Sequence, residues 1–135
     1  MAGVSFSWPI RVYYEDTDGG GVVYHSNYLN FMERARTEWL RDIGFGQNHL
    51  RDELGMIIVV HALSIDYHYP ARFDDALVVT SQLIKVGGSS FIFEQIIKRD
   101  ELVLTCAKVR LVCVDINKFK PVAIPQKIKE KMETL

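Results

Sequence analysis

Apolar and polar residues alternate from Phe6 to Tyr14, with Phe6, Trp8, Ile10 and Val12 on one face. A period of two predicts a half-buried strand, and Pro9 places it at a sheet edge or a strand start. The run Asp16-Thr17-Asp18-Gly19-Gly20-Gly21 then ends regular structure. From about Asn27 to Ile43 the period becomes helical. Tyr28, Leu29, Phe31, Met32, Ala35, Trp39, Leu40 and Ile43 fall within about half the circumference. Asn30, Glu33, Thr37 and Arg41 fill the other side. Ser26 or Asn27 suits the N-cap, and Gly44 suits the position just past the C-terminus. Arg36 falls on the apolar side and requires a carboxylate or carbonyl partner. Gln47 to Leu54 reads as a short second helix.

The remainder reads as β structure. Ile57 to Tyr69 alternates, with Ile57, Val59, His61, Leu63, Ile65 and Tyr67 on one face. Pro70 to Asp75 is a connection, and Ala76 to Val86 is the next strand. Gly87-Gly88 reads as a hairpin turn into Ser90 to Lys98, and Arg99-Asp100-Glu101 turns into Leu102 to Asp115. Asn117 to Ala123 reads as a short final edge strand and Pro125 to Met132 as a terminal helix. Consecutive hairpins imply an antiparallel sheet. A helix apolar over so much of its girth fits inside a curved sheet, so the fold class is α+β with about five to six strands. The second strand faces also look apolar, as in Ile58, Val60 and Ala62, or Val103, Ala107, Val109 and Leu111. One long helix leaves those faces uncovered, which implies a homo-oligomer.

Composition narrows the classes. A chain of 135 residues is expected to form a single domain, 1–135. With 16 basic and 17 acidic side chains, no strong field draws it to nucleic acid or an anionic membrane. The longest apolar run, Met56 to Val60, falls far short of the roughly 20 residues that span a bilayer. Met1 to Ser5 carries neither a basic stretch nor an apolar core, so the expected location is cytoplasmic. Cys106 and Cys113 lie seven residues apart in one predicted strand. That spacing puts them ~23 Å apart, whereas a disulfide needs Cα atoms within about 7 Å. His25, His49, His61 and His68 form no HExxH or CxxC arrangement, so a metal is not expected.

The chemistry concentrates between Arg11 and Tyr28. Two aspartates precede a glycine-rich turn that runs into the start of the only long predicted helix. A helix start leaves about four backbone N–H groups unpaired, and its dipole favours negative charge. Glycines let a substrate carbonyl approach the main chain closely. A carboxylate beside such donors can serve as general base or nucleophile. Taken alone, the segment has three readings: a plain Asp-Gly turn, an acyl-transfer site, or a loop that binds phosphate or a metal. It carries no Gly-x-Ser-x-Gly elbow and no Gly-Lys-Ser/Thr of a P-loop.

Arg11-Val12, then Thr17-Asp18-Gly19-Gly20-Gly21-Val22-Val23-Tyr24-His25 and Tyr28, resembles the signature of the 4-hydroxybenzoyl-CoA thioesterase family of hotdog-fold enzymes. Phe31-Met32-Glu33-Arg34-Ala35-Arg36-Thr37-Glu38-Trp39-Leu40 is closer still to the YbgC-type acyl-CoA thioesterases, a group associated with the Tol-Pal system. Tyr69-Pro70-Ala71-Arg72-Phe73-Asp74-Asp75 resembles the same group. The likeness runs from about residue 8 to 125.

The resemblance implies a hotdog fold, with an antiparallel sheet wrapped around the long helix. It implies dimers with active sites at the subunit interface, often paired into tetramers, and hydrolysis of acyl-CoA without metal or cofactor. It makes Asp18 the catalytic carboxylate, as general base or nucleophile, and gives the main-chain N–H groups near Tyr24 and His25 the task of polarising the thioester carbonyl. The His25 side chain either assists or supplies only its amide. Asp16, Gly21 and Val22 are then supporting residues on the substrate side. Gly19 stands where the group often has Ala. Coenzyme A carries phosphates, for which Arg72, Lys85 and Lys98 are candidates, with the hydroxyls of Ser89 and Ser90. Phe31, Met32 and Trp39 are positioned to limit acyl length if a tunnel runs between helix and sheet. A rival reading is a non-enzymatic scaffold that binds acyl-CoA or acyl carrier protein. Retention of Asp18 argues against it, because binding alone needs no carboxylate facing an anionic ligand. A hotdog dehydratase would need a His/Asp or His/Glu pair, and none is clearly placed.

Overall fold

The computed structural model describes residues 5–133. Strand β1 (Phe6–Arg11) leads through a 3-10 turn (Tyr14–Asp16) to helix α1 (Asn27–Asp42) and helix α2 (Gln47–Leu54). Strands β2 (Met56–Tyr67), β3 (Ala76–Val86), β4 (Ser90–Arg99) and β5 (Leu102–Asp115) follow, then helix α3 (Gln126–Glu133). The strands form one antiparallel sheet in the order β1-β3-β4-β5-β2, which leaves β1 and β2 as its edges. This is the α+β architecture of the hotdog fold, with five strands.

Helix α1 begins and ends where its pattern changes. Its apolar stripe, Tyr28, Phe31, Met32, Ala35, Trp39 and Leu40, is buried. Trp39 meets Phe93 edge-on with ring centroids 4.9 Å apart, and Phe93 meets Phe91 at 5.8 Å. The C-terminus closes on Gly44, whose φ is +88°. Its N–H donates to the Arg41 carbonyl at 3.0 Å, and the Phe45 N–H donates to the Leu40 carbonyl at 2.9 Å. That pair of bonds satisfies two of the last carbonyls of the helix.

The partner that Arg36 requires is an amide. Its guanidinium donates to Gln95 Oε1 at 2.8 Å. Gln95 is 0% exposed and donates through Nε2 to the Met32 carbonyl at 3.0 Å and to Ser81 Oγ at 2.9 Å. One side chain thus links α1 to β3 and β4. Burial lowers the Arg36 pKa from its ordinary value, and Glu33 partly offsets this.

Three expectations change. The β2 register shifts between Val60 and Ala62, a bulge that exchanges the two faces of the strand. Ile58 and Val60 pair with Cys113 and Leu111, while Leu63, Ile65 and Tyr67 pair with Val109, Ala107 and Thr105. Those β5 partners are core residues, so the helix-side face of β2 runs Ile58, Val60, Leu63, Ile65, Tyr67. Accordingly Ala107, Val109 and Leu111 are buried against the interior and do not form an uncovered outer face. Residues 117–123 make no strand. Asp115 Oδ1 accepts the N–H groups of Asn117 at 2.9 Å and Lys118 at 2.8 Å, curling the chain into a turn. These backbone bonds hold the Asp115 carboxyl below its usual range. Only an isolated bridge, Val114 to Pro121, remains of the predicted pairing. Both cysteines are free thiols, and burial pushes Cys113 up to about 11.

Replacing Gln95 by Leu strands the Arg36 guanidinium, the Met32 carbonyl and the Ser81 hydroxyl. Gln95→Leu is expected to lower unfolding stability in urea by about 2–4 kcal/mol. Adding Arg36→Leu is expected to recover part of that loss. Gly44→Ala meets open space but a left-handed backbone, and is expected to lower stability by about 1–2 kcal/mol.

Candidate active site

The two aspartates have separate fates. Asp16 is only 3% exposed. Its Oδ2 accepts the Tyr13 N–H at 2.8 Å and its Oδ1 accepts Asn27 Nδ2 at 3.0 Å. Its carbonyl also accepts the Tyr24 N–H at 3.0 Å. Both carboxylate oxygens are therefore engaged inside the chain, and Asp16 ties the 3-10 turn to the start of α1.

Asp18 is exposed, at the base of a tight hairpin. Thr17 and Val23 form a bridge, and the Asp18 N–H donates to the Val22 carbonyl at 3.1 Å. The tip between them is Gly19-Gly20-Gly21. Gly19 and Gly21 adopt φ near +89° and +88°, a region most side chains avoid. A Cβ on Gly20 would lie 3.1 Å from Asp18 Oδ1, which accepts the Gly20 N–H at 2.7 Å. The glycines thus let the hairpin close over one oxygen of Asp18.

The connection after β2 braces this hairpin. The Val23 N–H donates to the Ala71 carbonyl at 2.8 Å, and the Phe73 N–H donates to the Gly21 carbonyl at 3.1 Å. Val22 bridges Arg72, so Gly21, Val22 and Arg72 lie together beside Asp18. The Arg72 side chain is exposed and joins none of the ion pairs among the described residues. Asp75, by contrast, is held by Arg99 at 2.7 Å and accepts the Arg72 N–H at 2.8 Å.

The chain enters α1 without a side-chain cap. Ser26 is the N-cap residue but makes no capping bond, and the first turn holds no acid. The Asn27 N–H turns back to the Tyr24 carbonyl at 2.9 Å. The Tyr24 N–H, expected to face a substrate, is occupied by Asp16 because the turn packs directly under the helix start. Among the described residues, the N–H groups of His25 and Ser26 meet no acceptor. Of the two residues named from sequence, His25 keeps an open main-chain N–H and Tyr24 does not. The His25 ring is exposed and lies 4.5 Å from the Tyr24 ring, tilted against it.

A cleft of about 270 Å³ opens at this helix start, lined by Val23, His25, Tyr28, Tyr67, Tyr69 and Pro70. The Tyr67 hydroxyl donates to the His25 carbonyl at 3.0 Å. The alternation puts Tyr67 on the face it occupies, with Leu63 and Ile65, but nothing in the pattern links it to His25, 42 positions away. Asp18 does not line this cleft within one chain.

Lys85, Ser89 and Ser90 lie elsewhere. They flank the β3–β4 turn, the length of β3 from Arg72, which is roughly 30 Å at strand rise. Ser89 and Ser90 there accept the N–H groups of Cys113 at 2.9 Å and Gly87 at 2.7 Å through their carbonyls. Lys98, near the end of β4, pairs with Val78 and Val103. Phe31, Met32 and Trp39 are fully buried core residues. A second cleft, about 250 Å³, lies beside the C-terminal half of α1 between Arg36, Trp39, Leu40, Ile58, Val60 and Phe91.

The geometry is an exposed acid on the glycine hairpin that precedes a helix whose start leaves main-chain donors open. Comparison with known proteins gives it a family. The family model described as the thioesterase-like superfamily matches residues 12–132. An acyl-CoA thioesterase YbgC of Haemophilus influenzae is 51% identical over 124 residues, covering 92% of this chain and 91% of that one. An acyl-CoA thioester hydrolase YbgC of Escherichia coli O157:H7 is 47% identical, with 91% and 92% covered. Among solved structures, a probable thioesterase from Bartonella henselae superposes with a TM-score of 0.87 at 35% identity, over 90% of this chain and 100% of that one. A 1,4-dihydroxy-2-naphthoyl-CoA thioesterase from Synechocystis superposes at 0.90 and 25% identity, over 98% of each chain. With an exposed Asp18, an uncapped helix start and relatives this similar over nearly their whole length, the chain belongs to the thioesterase-like superfamily, among its YbgC-type thioester hydrolases.

Proposed function

We propose that this protein hydrolyses acyl-CoA thioesters, with Asp18 as general base or nucleophile and the N–H groups of His25 and Ser26 as the oxyanion hole. The observation that carries the reading is the uncapped start of α1 beside a cleft, with those two donors open. Donors held in place before reaction stabilise the charge that develops on the thioester oxygen, and losing one typically costs ~10²–10³ in rate. Asp18 keeps one oxygen on Gly20 and the other toward solvent. As a base it takes a proton from water, the oxygen attacks the carbonyl carbon, the C–S bond breaks and coenzyme A leaves as the thiol. As a nucleophile it forms a mixed anhydride that water then cleaves to the same acid. Arg72, beside Gly21 and Val22, is the basic side chain best located for a coenzyme A phosphate.

The active unit in this reading is a homo-oligomer. Strand β2 is a free edge twelve residues long, with Val60, Leu63 and Tyr67 exposed on its helix side. Such an edge invites pairing with a second copy. Pairing there covers the cleft at the helix start and supplies walls that one chain lacks. It also gives Lys85, Ser89 and Ser90, remote from Asp18 within a chain, a route to a neighbour's site.

Asp18→Asn is expected to lower thioester hydrolysis by about 10²–10⁴-fold in a free-thiol release assay while leaving the melting temperature near wild type. Near-wild-type turnover by that variant contradicts the assignment. Asp16→Ala removes two buried hydrogen bonds to a charged group and is expected to cost about 2–4 kcal/mol of stability, read by denaturant melting. Val60→Lys, on the free edge, is expected to convert the oligomer to monomer in sedimentation velocity and to lower activity with it.

A further inference from the structure

We propose that Tyr67 is a positioning residue for thioester hydrolysis, its hydroxyl fixing the His25–Ser26 peptide so that the Ser26 N–H is aimed at the substrate oxygen. The inference rests on the reading of the helix start as an oxyanion hole and names a residue outside the segments that carry the family resemblance.

Tyr67 is the last residue of β2 and lies 42 positions from His25 in sequence. Without the bulge at Val60/Ala62 its side chain would face the outer side of the sheet. With it, the hydroxyl reaches the His25 carbonyl at 3.0 Å. A peptide unit is planar and trans, so its C=O and N–H point in opposite directions. Fixing the His25 carbonyl therefore fixes the direction of the Ser26 N–H. Donation to the carbonyl also polarises the unit and makes that N–H a stronger donor.

Little else restrains this peptide. The Ser26 side chain makes no capping bond, and the nearby backbone bonds, from the Asn27 N–H to the Tyr24 carbonyl at 2.9 Å and from the Leu29 N–H to the Ser26 carbonyl at 3.2 Å, engage the flanking peptides. The Tyr67 ring, in turn, is held edge-on to the Tyr28 ring at 5.4 Å. Tyr28 is buried, and its hydroxyl accepts the Ala71 N–H at 2.9 Å. The relay runs from the braced connection, through Tyr28 and Tyr67, to the peptide at the helix start. The Tyr67 phenol keeps its proton through neutral pH, because partial burial and the nearby Tyr28 raise its pKa further.

The test compares Tyr67→Phe with wild type and with Asp18→Asn on a series of saturated acyl-CoAs. Tyr67→Phe is expected to lower kcat about five- to tenfold, the scale of one hydrogen bond, with KM and melting temperature unchanged. Replacing Tyr67 by 3-fluorotyrosine keeps the donor and is expected to hold kcat at the wild-type level. Wild-type kcat in Tyr67→Phe alongside an inactive Asp18→Asn overturns the role of Tyr67 and leaves the hydrolase reading standing. A raised KM and a lowered melting temperature with kcat intact overturns it in favour of a latch. Wild-type turnover in both variants overturns the assignment of the active site to Asp18 and the helix start, on which the role of Tyr67 rests.

Discussion

A buried carboxylate holds the start of α1 in place, and the rest of the site is built on that tie. Asp16 receives one N–H from the 3-10 turn and one from the first residue of the helix, while its own carbonyl receives the Tyr24 N–H. A charge removed from water is tolerated only when its oxygens are satisfied, and here both are. The result is a rigid corner from which the glycine hairpin projects. Two positions on, Asp18 has the same side chain in the opposite setting: exposed, with one oxygen on Gly20. Environment, and not residue type, divides the structural acid from the chemical one.

The corner is as useful for what it leaves open as for what it binds. Ser26 is a residue type that commonly caps a helix, yet it does not cap this one. The first turn has no acid to neutralise the dipole. Backbone N–H groups left in this state at a cleft are favourable places for developing negative charge. Anchoring therefore comes from elsewhere: from Asp16 below, from Tyr67 across the cleft, and from the Arg36–Gln95 network further along the helix.

Local pattern made much of this legible. Helix α1, the stop at Gly44 and strands β3 to β5 follow directly from periodicity and turn residues, since each is decided within a few positions. The Asp-Gly run before the helix also marks itself. What escaped is non-local or depends on parity. Gln95 meets Arg36 across 59 positions, and nothing in either segment announces the other. The β2 bulge exchanges the faces, so the strand's alternation misassigns Ile58 and Val60, while Tyr67 keeps its expected face but meets His25 only across 42 positions. Tyr24 has a helix-start position but loses its amide to a packed turn. The hydroxyls after Gly88 looked attractive as residue types, but the length of β3 carries them away from Asp18. Residues 117–123 alternate like a strand, yet the Asp115 side chain captures their first two N–H groups.

The central claim is a contact between a thioester oxygen and two particular N–H groups, and a crystal structure of the Asp18→Asn variant with an unhydrolysed acyl-CoA tests it directly. The thioester carbonyl oxygen is expected about 2.7–3.1 Å from the His25 and Ser26 nitrogens, with the residue-18 side chain facing the carbonyl carbon or a water beside it. A thioester bound away from the start of α1, or those two N–H groups turned from it, would rule out catalysis by the helix start.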